Sequence, residues 1–171
     1  MPHVVWDITK HPNTARWVTG RHVTVPLSMR FSQVATYPET RVMHIHCDIG
    51  LASARWGPVV VEKGSAITLG DVLFAVYDFF QRRMSEEDVD FVASLREGNR
   101  ERMYEAFYRR CRTSHSLTEW EWRQGMRRVD CLQDRTAWWG TWVSIRHDDR
   151  WFLNLGLQSI YDNPHLRDDA R

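Results

Sequence analysis

Three polar side chains alternate in the stretch His44-x-His46-x-Asp48. On a strand they would share one face, successive ones roughly 6.5–7 Å apart. Two imidazoles at i and i+2 can bind one transition metal, and a carboxylate can complete a facial set. Spacing marks no further ligand downstream, so neither a metal nor any other cofactor is assigned. Two readings remain: metal-free acid–base use, since histidine titrates near neutrality, and an ordinary solvent-facing edge of an amphipathic strand.

Asp130 is the second candidate. It sits between Val129 and Cys131 with Arg128 beside it. A half-buried carboxylate near arginine is expected first as a structural ion pair, with Arg109 or Arg110 as the partner. As a functional group it would be a general base, and Arg128 would stabilise developing negative charge. The tryptophans come third. There are nine, and Trp56, Trp138, Trp142 and Trp151 lie on or beside strands that could share one face. Indoles give a large rigid apolar wall with a single donor, suited to a flat or polycyclic ligand. A tryptophan-rich core uses the same residues.

The elements that must position these groups follow from periodicity. His3–Ile8 alternates as a strand with Val4, Trp6 and Ile8 on one side, and Arg21–Pro26 is a weaker second strand. Arg41–Asp48 alternates cleanly, and Pro58–Glu62 is apolar enough to be central in a sheet. Thr68 with Asp71, and Ser85 with Asp88, are capping boxes that open two helices. A third helix spans Arg100–Arg112, and Thr118 with Glu121 caps a short fourth that stops at Gly125. Strands return at Arg128–Leu132, Thr136–Arg146 and Trp151–Leu157, the last two joined by a turn at His147–Arg150. In Thr136–Arg146 a regular alternation sets Trp138 and Trp142 on one face and Trp139 on the other. The expected architecture is a single α+β domain over residues 1–160. Its antiparallel or mixed sheet comes from N- and C-terminal strands packed on three to four central helices, and a frayed polar tail spans 161–171.

Composition narrows the function classes. A chain of 171 residues with 43% hydrophobic and 26% charged residues suits one soluble core. A net charge of +1 supplies no global field for nucleic acid or an anionic membrane. No window approaches the roughly 18 apolar residues of a membrane helix, and no leader-like apolar run opens the chain. Cys47, Cys111 and Cys131, an odd number without C-x-x-C spacing, suit a reducing compartment, so a cytosolic protein is expected. The P-loop, dinucleotide-binding, nucleophile-elbow and zincin motifs are absent.

Five stretches together resemble a fungal domain of unknown function abundant in mushroom-forming basidiomycetes. They are TLGDVLFAVYDFF at Thr68–Phe80, YRRCR at Tyr108–Arg112, GMRRVDCL at Gly125–Leu132, RTAWWG at Arg135–Gly140 and WFLNL at Trp151–Leu155. The likeness runs from Trp56 to Leu157. It implies a fungal source and one compact domain, and carries over no catalytic residue.

The functional expectation is a domain that binds an apolar or aromatic small molecule in a pocket lined by Trp56, Trp138, Trp142 and Trp151. As an enzyme it would be a cofactor-independent isomerase, cyclase or hydrolase. His44 or His46 would move the proton, Asp48 or Asp130 would assist, and Arg128 would act as electrophile. No nucleic-acid or membrane partner is expected, and a homodimer stays open. The alternative is a non-catalytic interaction or scaffold module whose Trp120 and Trp122 form an exposed patch.

Overall fold

Two sheets and a block of helices make up the residues that the computed structural model describes: 3–20, 23–47, 49, 54–114, 116–145 and 151–166. Strand β1 (Val4–Val5) pairs antiparallel with β2 (Arg16–Gly20), and β2 pairs with β3 (Val23–Pro26). The expected strand at His3–Ile8 is therefore split. After Val5 the backbone leaves β2 and runs along the other sheet, where Trp138 N–H donates to the Trp6 carbonyl (2.8 Å) and Ile8 N–H to the Thr136 carbonyl (2.9 Å). Strand β2 was not legible, because its pattern of exposure does not alternate. Arg21 and His22, the start of the expected second strand, lie outside the described residues.

The larger sheet contains β4 (Val42–Cys47), β5 (Val59–Glu62), β6 (Ala137–Ile145) and β7 (Trp151–Gln158) in the order β5-β4-β7-β6. Its central pair, β4 and β7, is parallel, and both flanking pairs are antiparallel. Strand β5 is an edge rather than a centre. Val59 and Val61 point into the core while Val60 is 52% exposed, so the run Val59-Val60-Val61 is apolar on both faces but buried on one.

Helix α1 (Leu69–Gln81) covers the inner face. Val72, Leu73, Val76 and Phe80 pack with Met43, Ile45, Val59 and Val61 in one core. Helices α2 (Glu86–Ser94), α3 (Asn99–Thr113) and α4 (Thr118–Gln124) follow. No helix among the described residues is long and apolar enough to cross a membrane. Two expectations are corrected here. Helix α4 has no side-chain cap from Thr118, because Thr118 is its first helical residue and Leu117, which has no side-chain acceptor, stands at the N-cap; the Glu121 carboxylate is taken by Arg110 and Arg127. Arg128–Leu132 is a 3-10 turn rather than a strand. The Asp130 carboxylate accepts from Arg127 N–H (2.8 Å), a local bond that competes with strand pairing. Within the described part of the expected tail, Ile160–Asp162 forms a 3-10 turn and Asn163 is buried.

Both expected capping boxes close as drawn. Thr68 Oγ1 accepts from Asp71 N–H, and Asp71 Oδ2 accepts from Thr68 N–H (2.8 Å) and from Lys63 Nζ (2.8 Å). Burial alone would raise the Asp71 carboxyl; the hydrogen bonds from Lys63 and Thr68 together outweigh it and hold the group below its ordinary value. Asp88 is lowered in the same way, its burial being outweighed by bonds from Arg55 and Ser85. A lowered carboxyl contributes stability that is present above the unfolded value, about 3.9, and lost as pH falls through the folded one. Urea unfolding should therefore show stability falling below about pH 4, and Asp71→Asn should flatten that acid limb. Thr68→Ala should cost about 1 kcal/mol at neutral pH.

Candidate functional site

Arg110 enters the interior from α3, 6% exposed, because its guanidinium meets two buried carboxylates there. Nε and Nη2 grip Asp130 Oδ1 and Oδ2 at 2.8 and 2.9 Å, and Nη1 donates to Glu121 Oε2 at 3.1 Å. Nη2 also donates to the Gly125 carbonyl (3.2 Å). Arg127 closes the set, donating from Nη2 to Glu121 Oε2 (2.9 Å) and from Nη1 to Gln81 Oε1 (2.8 Å). Two cations face two carboxylates, and the bidentate geometry satisfies nearly every donor. Burial alone would lower the Arg110 guanidinium, but the Asp130 hydrogen bond and charge more than offset it and raise the group. Asp130 thus has the ion-pair role expected first, and Arg110 rather than Arg109 is its partner.

The other expected residues are dispersed. His44 and His46 alternate with the buried Met43, Ile45 and Cys47, so they sit on the outer face of the sheet, away from the core and Asp130. His44 is exposed, and His46 packs edge-on against Phe152 with ring centroids 4.8 Å apart. Asp48 lies outside the described residues, as does the side chain of Trp151. Arg128 is sandwiched between the rings of Trp56 (4.9 Å) and Phe79 (4.7 Å). Its Nε and Nη1 and the Trp56 Nε1 are buried without a well-formed hydrogen bond among the described residues. Burial first, then the Arg82 charge, lowers the Arg128 guanidinium, and the two ring faces supply the compensating attraction. Cys131 lies nearby against Met84 (Sγ–Sδ 3.2 Å), its thiol pushed up to about 12 by burial.

Trp138 is buried in the core beside Trp6, their centroids 5.8 Å apart. Trp142 is not with it. Trp138 stands opposite Leu157 and Gly140 opposite Gly156, so Trp139 is an extra residue, a β-bulge, on β6. Gly140 carries the bulge at φ 152°, a conformation that favours glycine. The bulge inverts the alternation, turning Trp142 outward. Trp142 then meets Trp139 at 82° with centroids 5.8 Å apart. Trp56, Trp138 and Trp142 therefore occupy three different places and do not line one pocket.

What the fold does assemble is a cleft of about 640 Å³ between the N-terminal segment, α3 and the 3-10 turn at Arg128–Leu132. Its floor is the neutralised Arg110–Asp130 pair. Three further cations reach it, and each is steadied by uncharged oxygens. Lys10 Nζ donates to the Thr113 carbonyl (2.6 Å) and Oγ1 (3.1 Å) at the end of α3. Arg109 Nη2 donates to the Gln133 carbonyl (2.6 Å), and Arg16 Nε to Thr24 Oγ1 (2.6 Å). None of the three forms an ion pair among the described residues. Asp7, whose Oδ1 accepts from Thr9 N–H (3.0 Å), is the one other acidic wall residue. The residues lining the cleft therefore carry an excess of positive charge.

Sequence reasoning named Arg109 as a candidate ion-pair partner and missed Lys10 and Arg16 as site residues. Their elements meet only through tertiary packing, and no spacing links positions 10, 16 and 109. Trp142 was assigned to the wrong face for want of the bulge, whose one visible signal is the glycine that follows it.

Among known proteins, one family model matches the chain over residues 4–150, and its description is a family of unknown function, DUF6699. That span begins well before Trp56, so the likeness takes in the N-terminal sheet as well. No curated protein and no solved structure matches the chain.

The buried fork generates a stability prediction. Arg110→Ala leaves Asp130 and Glu121 charged and underpaired, and should cost about 3–5 kcal/mol. Urea denaturation at pH 7 measures it; a loss below about 1 kcal/mol, the range of exposed ion pairs, would show that the fork is not a buried, desolvated one.

Proposed function

We propose that this chain, which belongs to the DUF6699 family, is a small-molecule-binding domain, and that its ligand carries an anionic group seated in the cleft above Arg110 and Asp130. One observation carries the reading: Lys10, Arg16 and Arg109 converge on one cavity, and their fixed partners are carbonyls and hydroxyls rather than carboxylates. Such partners orient a cation without consuming its charge, which leaves donors for a phosphate, sulfate or carboxylate. A volume near 640 Å³ is in the range of drug-sized ligands. The apolar contribution comes from Val5, Trp6, Val129 and Ile160 on the same walls, so an amphipathic organic anion suits it better than an inorganic one. This keeps the small-molecule class expected from sequence and changes the chemistry of the ligand. Acid–base turnover by His44 or His46 with Asp130 finds no geometric support, since the histidines lie on the opposite side of the sheet and Asp130 is engaged by Arg110. A cytosolic setting is supported by Cys111 and Cys131, buried as free thiols.

The second reading, an interaction module acting through a homodimer, rests on α3 and α4. Trp120 and Trp122 are each 52% exposed, and Trp122 stands 5.6 Å from Tyr108 over a shallow groove. Concentration-dependent association that Trp122→Ser abolishes would favour it.

Phenyl phosphate tests the leading reading, with benzyl alcohol as its neutral counterpart. Calorimetry should find the phosphate alone bound, weakened by added salt, and Arg109→Ala should weaken it tenfold or more, as loss of a charged hydrogen bond worth about 1.5–3 kcal/mol requires. Equal binding of the two probes, or an Arg109→Ala protein that binds as before, would refute the anionic site.

A further inference from the structure

A second cavity opens on the outer face of the main sheet, on the far side of the Asp134–Arg135 loop from the cationic cleft. Its walls are the indoles of Trp139 and Trp142, with Gly156 beneath and Asp134, Asp162 and Arg135 at the rim. The two indoles meet nearly at right angles, 82°, with centroids 5.8 Å apart. They lie directly on the β7 backbone: a Cβ on Gly156 would stand 2.7 Å from Trp142 Cζ3 and 2.8 Å from Trp139 Cε3. The missing side chain lets both rings settle against the strand, and their outer surfaces stay 52% and 39% exposed.

Two perpendicular indoles form a corner of negative π-faces, the arrangement that attracts a cation lacking strong hydrogen-bond donors. Several other aromatic faces in this protein already carry a guanidinium. Arg30 covers Trp17, Arg55 covers Phe91, and Arg128 lies between Trp56 and Phe79. Among the described residues no guanidinium covers Trp139 or Trp142. Arg135, the one cation on the rim, turns its Nη2 to the Leu157 carbonyl (3.3 Å). Two carboxylates against one arginine leave the rim negative. Asp134 Oδ2 accepts from Ser159 Oγ (2.6 Å), which holds it in place without neutralising it. Ring geometry and rim charge favour the same occupant.

We propose that the Trp139–Trp142 corner binds an organic cation of the quaternary ammonium type, its methyl groups against the two indoles and its charge balanced by Asp134 and Asp162. The ammonium belongs either to a free small molecule or to a trimethylated lysine side chain. This site is separate from the anionic-ligand cleft, and neither reading rests on the other.

Choline and 3,3-dimethylbutan-1-ol have nearly the same shape and differ in charge. Calorimetry on the intact chain should show choline binding at least tenfold tighter. Trp142→Ala should abolish that binding with the melting temperature preserved, and Asp162→Asn, at an exposed position, should weaken it severalfold. Should Trp142→Ala fail to fold, Trp142→Phe with Asp162→Asn provides the same contrast. A trimethyllysine peptide binding more tightly than choline would place the ammonium on a chain, and the reverse order would place it on a free molecule. Equal binding of choline and its neutral isostere, no binding of choline or the peptide, or binding indifferent to both Trp142→Phe and Asp162→Asn would each overturn the proposal.

Discussion

A single guanidinium, that of Arg110, holds the helical half of this protein in register. Its planar fork fixes the 3-10 turn through Asp130, α4 through Glu121 and the turn after α4 through the Gly125 carbonyl. Arg127 extends the set to α1 through Gln81. Lysine, a point charge with three donors on a flexible stem, could not hold these partners together. Taking four charged groups out of water is costly, so the fork is better understood as a specifier of arrangement than as a source of net stability. It also forms the floor of the cationic cleft. Because the floor is neutral, the field inside the cleft comes from Lys10, Arg16 and Arg109, the last of which neighbours Arg110 on α3.

The second constraint is the one-residue bulge at Trp139. A strand alternates with period two, so an inserted residue exchanges the faces of everything beyond it. Without it Trp142 would share the face of Trp138. With it the core keeps Trp138 against Trp6, and the outer face gains two indoles over a glycine. Asn154 stabilises the region just beyond the bulge, donating to the Trp142 carbonyl (3.2 Å) and to Ser144 Oγ (2.8 Å).

Local chemistry was readable in the sequence and long-range chemistry was not. Thr68 with Asp71 and Ser85 with Asp88 announce helix starts because each box is complete within four residues. The buried faces of β4 and α1 follow from periods of two and 3.6. Asp130 was legible as an ion-pair carboxylate because an acid in an apolar run needs a partner. Its 3-10 backbone was not legible, because the side chain caps its own turn and diverts the segment from a strand. The edge position of β5 depends on which strands flank it, which Val59–Val61 cannot encode. The cleft is the extreme case: Lys10 and Thr113 are 103 positions apart, and nothing near either one refers to the other.

The parallel pairing of β4 with β7 has a consequence for assembly. Ile45 and Leu153, which stand side by side at the centre of the sheet, lie far apart along the sequence. The β4–β5 hairpin and the capped helices can form early from nearby residues, but β4 has no second neighbour until β7 arrives. Until then its unpaired backbone edge stays open to association with other chains. Closing so large a loop makes this a high-contact-order step, expected late and slow. The vulnerable species is therefore an intermediate complete but for its last strand, and solubility during synthesis depends on how quickly that strand is inserted.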